Sequence, residues 1–156
     1  MANLWYNIAV IGDDGVGKTT FIRRHLTGEF EEKYEPTEWA NYDRITFDTN
    51  IGPVQLNIWD YTGECPLSGY HGVIAMFSVD KENSLENAIK LLKMFPRETA
   101  RVLCCTKCDL VSTRPISEIP EHTILTSTKT KYNLDKPFVE LLQIMTHTPD
   151  ISFAKS

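Results

Sequence analysis

Residues 12–19 read Gly12-Asp13-Asp14-Gly15-Val16-Gly17-Lys18-Thr19, the G-x-x-x-x-G-K-T pattern of a phosphate-binding loop. Few short patterns constrain a chain so strongly. The glycines let the backbone curl until its N–H groups face inward onto a phosphate. Lys18 is placed to reach the outer phosphates as a point charge, and the Thr19 hydroxyl to ligate magnesium. The flanks agree with the pattern. Ile8-Ala9-Val10-Ile11 before it is a short apolar run suited to a buried strand, and Phe21, Ile22, His25 and Leu26 after it have helical spacing. A helix there turns the positive end of its dipole toward the same phosphate.

The rest of the chain builds a frame around that loop. The first strand is read over Leu4 to Ile11 and the first helix over about Lys18 to Thr27, stopped by Gly28. Glu29 to Asn41 shows neither period and reads as a long functional or mobile loop. Tyr42 to Asp48 and Val54 to Trp59 alternate, with Thr49 to Pro53 between them, which predicts an antiparallel hairpin with one buried face. Val73 to Phe77 and Val102 to Cys105 read as buried strands and Thr123 to Leu125 as a short one. Asn83 with Glu86 suggests a capping arrangement ahead of a helix face of Leu85, Ala88, Ile89 and Leu92. Pro137 suits the first turn of a last helix striped by Phe138, Leu141, Leu142 and Met145. Strand–helix alternation over 156 residues predicts one α/β domain, 1–156, with a mostly parallel sheet.

Ligands on such sheets bind at the carboxyl ends of the strands. The phosphate loop, Asp60, the stretch Thr106-Lys107-Cys108-Asp109 and Ser127 all follow strands directly, so they are expected on one edge. Asp60 at a strand end is the expected second magnesium contact; a plain turn aspartate is the alternative. Residues 106–109 read as an ordinary loop or as a base-reading one. In the second reading the Asp109 carboxylate accepts two hydrogen bonds from a ring N–H and an exocyclic amine, which guanine offers side by side and adenine does not. The aliphatic stem of Lys107 then lies over the purine. A site that pairs its buried polar groups with a substrate's N–H groups discriminates by about 10⁴ or more, so guanine specificity is expected.

Composition enters as exclusion. A net charge of −5 argues against a nucleic-acid-binding surface, and 42% hydrophobic with 24% charged residues fits a soluble globular protein. Cys104, Cys105 and Cys108 crowd one strand end, which is poor disulfide geometry; plain burial is expected over a zinc site, since no Cys or His pair completes the spacing. No basic residue precedes the first apolar run, the longest apolar run, Val73 to Phe77, is too short to cross a bilayer, and the last residues contain no cysteine for prenylation. A soluble monomer without leader or membrane anchor is expected.

Together, Gly12 to Thr19, Thr37, Asp60-Tyr61-Thr62-Gly63-Glu64, residues 106–109 and Ser127-Thr128-Lys129 resemble the small Ras-like GTPases. The closer likeness is to the Ran branch, which serves nuclear transport. It rests on Arg24 to Glu31, Lys33-Tyr34, Asn50 to Pro53, Trp59-Asp60, Tyr132-Asn133 and Lys136-Pro137-Phe138. The resemblance implies a P-loop G domain with a six-stranded sheet, one antiparallel hairpin strand and helices on both faces. It also implies GTP or GDP with Mg2+, a two-state switch, and a place in the cytoplasm or nucleus among transport receptors or GTPase regulators.

By the same resemblance, Asp13, Asp14, Gly15, Val16, Gly17, Lys18, Thr19 and Thr20 cradle the phosphates. Thr19 and Thr37 ligate magnesium with Asp60 behind a water, and Gly63 offers its N–H to the γ-phosphate. Phe30 packs on the guanine, which Thr106, Lys107, Asp109, Ser127, Thr128 and Lys129 hold. The departures concern hydrolysis. Glu64 stands in place of the water-orienting glutamine, and Asp14 in place of a glycine facing the γ-phosphate. Twelve residues, 61–72, separate Asp60 from Val73, which implies a reduced second switch. Pro115 and Pro120 break the segment where a fourth helix is usual. Slow GTP hydrolysis follows as an expectation, with a catalytically weak decoy for GTPase partners as the alternative. A small-molecule P-loop kinase fits less well, because no second substrate domain and no arginine-rich lid are present.

Overall fold

The computed structural model describes residues 4–13, 16–18, 20–22, 40–61, 67, 69–81, 83–108, 120, 122–127, 129–130 and 132–153. Six strands form one sheet: β1 (Leu4–Ile11), β2 (Ala40–Thr49), β3 (Gly52–Tyr61), β4 (Gly72–Ser78), β5 (Ala100–Thr106) and β6 (Ile124–Leu125). Two helices lie among the described residues, α1 (Ser84–Met94) and α2 (Lys136–Thr146). A helical turn also begins at Lys18 and holds residues 20–22. The spatial order is β2-β3-β1-β4-β5-β6. Every pairing is parallel except β2 with β3, as the sequence predicts.

The order turns back at β1. The chain leaves it for the β2–β3 side and then crosses to β4 on the other side, which makes the carboxyl end of β1 the place where ligands bind in sheets of this kind. The register is set by apolar matching: Ile8 lies beside Ile58 on β3 and Gly72 on β4. Gly72 lets α2 pack closely there, since a Cβ would lie 3.0 Å from the Leu141 side chain and make it give way.

Successive side chains leave a strand on opposite faces, so each strand feeds two cores. Ile8, Val10, Leu56, Ile58, Ile74, Met76 and Cys104 meet Phe21, Ile22 and, from α2, Phe138, Leu141 and Leu142. Ala9, Ile11, Val73, Ala75, Phe77 and Cys105 meet Leu85 and Ala88 of α1. β4 is buried along its whole length, as a parallel strand covered on both faces must be. Each large side chain so buried contributes about 1.5–3 kcal/mol relative to exposure.

Two local expectations need correction. Thr49 to Pro53 is not all connection: Thr49 pairs with Gly52, and the turn is only Asn50-Ile51. Gly52, at φ 105°, takes a backbone conformation that disfavours side chains. Pro53 precedes the first pair with β1 among the described residues, Leu4 with Val54, and a strand end is where a residue without an N–H is tolerated. Asn83 does not cap α1 with its side chain. Its φ of 66° is left-handed, whereas a capping side chain needs an extended backbone, and no side-chain cap bond forms. Ser84 anchors the helix start instead. Its buried Oγ donates toward the carbonyls of Ser78, at 3.0 Å, and Lys81, at 2.9 Å, and accepts the Ser78 N–H at 3.1 Å.

At the far edge of the sheet the chain closes on its own hairpin. Asn50 donates its N–H to Ser152 (3.1 Å) and its side-chain amide to Asp150 (3.0 Å), and its Oδ1 accepts the Ser152 N–H (3.0 Å). Phe153 then stacks on Phe47 at 4.4 Å, Phe47 lies 5.2 Å from Phe138, and Phe138 stacks on Phe21 at 5.5 Å. No helix among the described residues is long and apolar enough to cross a membrane.

Candidate functional site

The phosphate loop leaves β1 at Gly12, which passes so close over β4 that a Cβ would lie 2.3 Å from the Met76 carbonyl oxygen. No residue with a side chain fits there. Gly17 holds φ at 102° beside Thr106, and its carbonyl accepts the Phe21 N–H (2.9 Å) to open the helix. Lys18, 6% exposed, donates its ammonium to the Gly12 carbonyl at 2.5 Å and to the Tyr61 carbonyl at 3.0 Å. The cation is thus held between the end of β1 and the end of β3.

Asp60 is the last residue but one of β3, next in the chain to the Tyr61 whose carbonyl accepts the Lys18 ammonium, and is 1% exposed. The residue has interactions of its own, while its Oδ1 oxygen is buried without a hydrogen bond. A carboxylate oxygen in this position suits magnesium, which is usually held by one or two carboxylates together with substrate phosphates. Among the described residues no cluster of three or more His, Cys, Asp or Glu forms a metal site by itself.

The base side is framed by β5 and β6. The Thr106 hydroxyl, 3% exposed, donates to the Val16 carbonyl of the phosphate loop and to the Phe77 carbonyl at 3.2 Å. It therefore ties the two loops together. Lys107 takes a left-handed backbone, φ 56°, and its ammonium pairs with Asp80 at 3.1 Å. Burial pushes the Asp80 carboxyl up, but the Ser78 hydroxyl and the Lys107 ammonium outweigh it and hold the group below its ordinary value. The Cys108 N–H donates to Thr126 at 2.9 Å, and the Thr126 N–H to Cys105 at 2.8 Å. Ser127 and Tyr132 exchange main-chain bonds of 3.1 and 3.0 Å, and the Ser127 hydroxyl accepts the Thr130 N–H at 3.2 Å. Lys129 lies exposed in that turn. Cys104 and Cys105 are fully buried and free of disulfides. Burial pushes the Cys104 thiol up to about 12, so it is no nucleophile at neutral pH.

Asp13, Val16, Gly17, Lys18, Thr20, Asp60, Thr106, Lys107, Ser127 and Lys129 thus follow or flank strand ends on one edge. Asp14, Gly15, Thr19, Phe30, Thr37, Gly63, Glu64, Asp109 and Thr128 lie outside the described residues, as do 62–66 and 109–119, on which the expectations of a reduced second switch and a broken fourth helix largely fall. Sequence reading missed Asp80 and Asn87. Asp80 carried only the signal of following a strand, as Asp60 does. Asn87 donates its side-chain amide to the Asp13 carboxylate at 2.8 Å across 74 residues, and nothing local marks it.

A sequence model of the Ras family matches residues 7–147. The match covers most of the chain and includes the edge just described. The chain belongs to the Ras family, whose members bind guanine nucleotide and act as GTP-dependent switches.

Proposed function

We propose that this Ras-family chain is a magnesium-dependent guanine-nucleotide switch of the Ran type whose GTP hydrolysis is slow. One observation carries the reading of the site: the buried Lys18 ammonium rests on two carbonyls, Gly12 and Tyr61, at the edge where β1, β3, β5 and β6 end. Phosphate oxygens are stronger acceptors for an ammonium than neutral carbonyls. A bound polyphosphate therefore recruits Lys18 from a position it already occupies.

The backbone from Asp13 to Thr20 surrounds the phosphates, with Lys18 on the β and γ groups. Thr19, Thr37 and Asp60 are the residues to hold magnesium, which when bound offsets charge between those groups. Lys107 and Asp109, with Ser127 to Lys129, take the guanine, and Phe30 packs on it. Thr106 acts one step back, by fixing Val16.

Two acids support slow turnover. Glu64 occupies the place of a water-orienting amide, and Asp14 that of a glycine at the γ-phosphate. A carboxylate several ångströms from a phosphate is repelled by about 1–4 kcal/mol, depending on local dielectric. Both acids oppose neutralisation of the transition state. Mass analysis of nucleotide released from the purified protein is expected to show GDP or GTP. In single turnover, Glu64→Gln with Asp14→Gly is expected to speed hydrolysis; wild-type rates typical of the family, or no gain in the double variant, overturn this part.

The same two acids, with a Ran-like first third from Arg24 to Tyr34, favour a second reading. In it the chain is a weak mimic that engages transport receptors or GTPase regulators in the cytoplasm or nucleus without cycling. Turnover measured with and without an activator separates the two: stimulation supports the switch, and binding without stimulation supports the decoy.

A further inference from the structure

We propose that Asn87 is a positioning residue of the nucleotide site: from α1, its amide holds the Asp13 carboxylate outward and thereby sets how firmly the phosphate loop grips. The inference rests on the guanine-nucleotide reading above and adds a residue that the loop pattern does not contain.

A phosphate loop works by presenting N–H groups inward. Asp13 places a carboxylate inside that loop, and a carboxylate swung toward a polyphosphate repels it. Its Oδ2 instead accepts a hydrogen bond of 2.8 Å from the half-buried Asn87 Nδ2. The Asp13 carbonyl also accepts the Val16 N–H at 3.4 Å, so the residue that Asn87 holds is the one that shapes the Val16 turn. Val16 is held from the other side by Thr106. The loop thus has one hold from β5 and one from α1.

The platform behind Asn87 is firm. Ser84 binds the end of β4 through Ser78, Leu85 and Ala88 are buried against the sheet, and the Asn87 N–H donates to the Asn83 carbonyl at 3.0 Å. The segment that carries Asn87 also carries Asp80, which holds Lys107 on the base side. One strand–helix connection therefore grips both loops of the site.

The test is a charge swap read by release of a fluorescent GDP analogue. Asn87→Asp sets two carboxylates against each other and is expected to speed release about tenfold, the range of coupling between contacting residues. Adding Asp13→Asn restores a carboxylate–amide pair with its ends exchanged, and is expected to bring release within about twofold of wild type. A merely structural loss at either position does not produce that rescue. Should Asn87→Asp fail to fold, Asn87→Ala is expected to speed release about threefold. Unchanged release in the single variants, or additive losses in the swap, overturns the inference while leaving the switch reading intact. A wild-type chain that binds no guanine nucleotide overturns the switch reading and this inference with it.

Discussion

On the phosphate side of the sheet edge, Lys18 gives its ammonium to two main-chain carbonyls. On the base side, Thr106 gives its hydroxyl to Val16 and Phe77, and Lys107 pairs with Asp80. Two of the Lys18 acceptors are neutral carbonyls, which a polyanion outcompetes. Thr106 is nearly closed to solvent and joins three segments, so its bonds belong to the frame. Replacing a residue on the first side is therefore expected to alter binding, and on the second to alter stability first.

The strongest way to break this contrast is Lys18→Ala. Losing a charged partner of a bound phosphate costs about 3 kcal/mol, or about 100-fold in GDP affinity. The ligand-free protein is expected to keep its urea midpoint, because the buried cation carries its own desolvation cost. A large drop in ligand-free stability shows Lys18 to be part of the frame instead. Thr106→Val comes next. The shape is kept, but two carbonyls lose a donor, at a cost of about 1–3 kcal/mol in denaturant unfolding. Affinity loss without stability loss places Thr106 with Lys18 and removes the distinction.

Asp80→Asn is expected to have the smallest effect. The Lys107–Asp80 pair is about one-third exposed on each side, 34% and 39%, so it contributes at most about 1 kcal/mol. Its pH dependence has a fixed sign. The folded chain holds Asp80 below its ordinary carboxyl value, so it binds the proton less readily than the unfolded chain does. The stabilisation is complete above the ordinary value, ~3.9, and is lost as pH falls through the lowered one. Urea midpoints of wild type and Asp80→Asn are expected to differ at pH 7 and to converge once the pH has fallen below the lowered carboxyl value. A gap that widens in acid contradicts the assignment.

What sequence alone revealed follows the same division. The phosphate loop was legible because its chemistry sits in eight consecutive residues whose glycines have backbone reasons to be there, as Gly12 over Met76 shows. The sheet was legible because β1 and β4 carry apolar runs and β2 and β3 alternate. The frame was not. Asn87 reaches Asp13 across 74 residues, a distance no local pattern spans, and it reads as one polar position on a helix. Asn83 was misread because its residue type suits a cap, whereas the tight connection from Ser78 forces it left-handed and hands the anchoring to Ser84. The Thr106 hydroxyl lies on the carbonyls of Val16 and Phe77, a tie between loops that the spacing of Thr106 to Asp109 does not encode.

The fastening of Asn50 to Asp150 and Ser152 gives the last described turn of chain a weight that its position disguises. Phe153, Phe47, Phe138 and Phe21 form an unbroken file of rings from that fastening to the helix that opens behind Lys18. A shortened version ending before Asp150 gives up the first ring of the file, the buried Ile151 and all three bonds of Asn50 at once. The tail is thus a keystone rather than a fringe, and trimming it unseats the wall against which the nucleotide-facing helix leans.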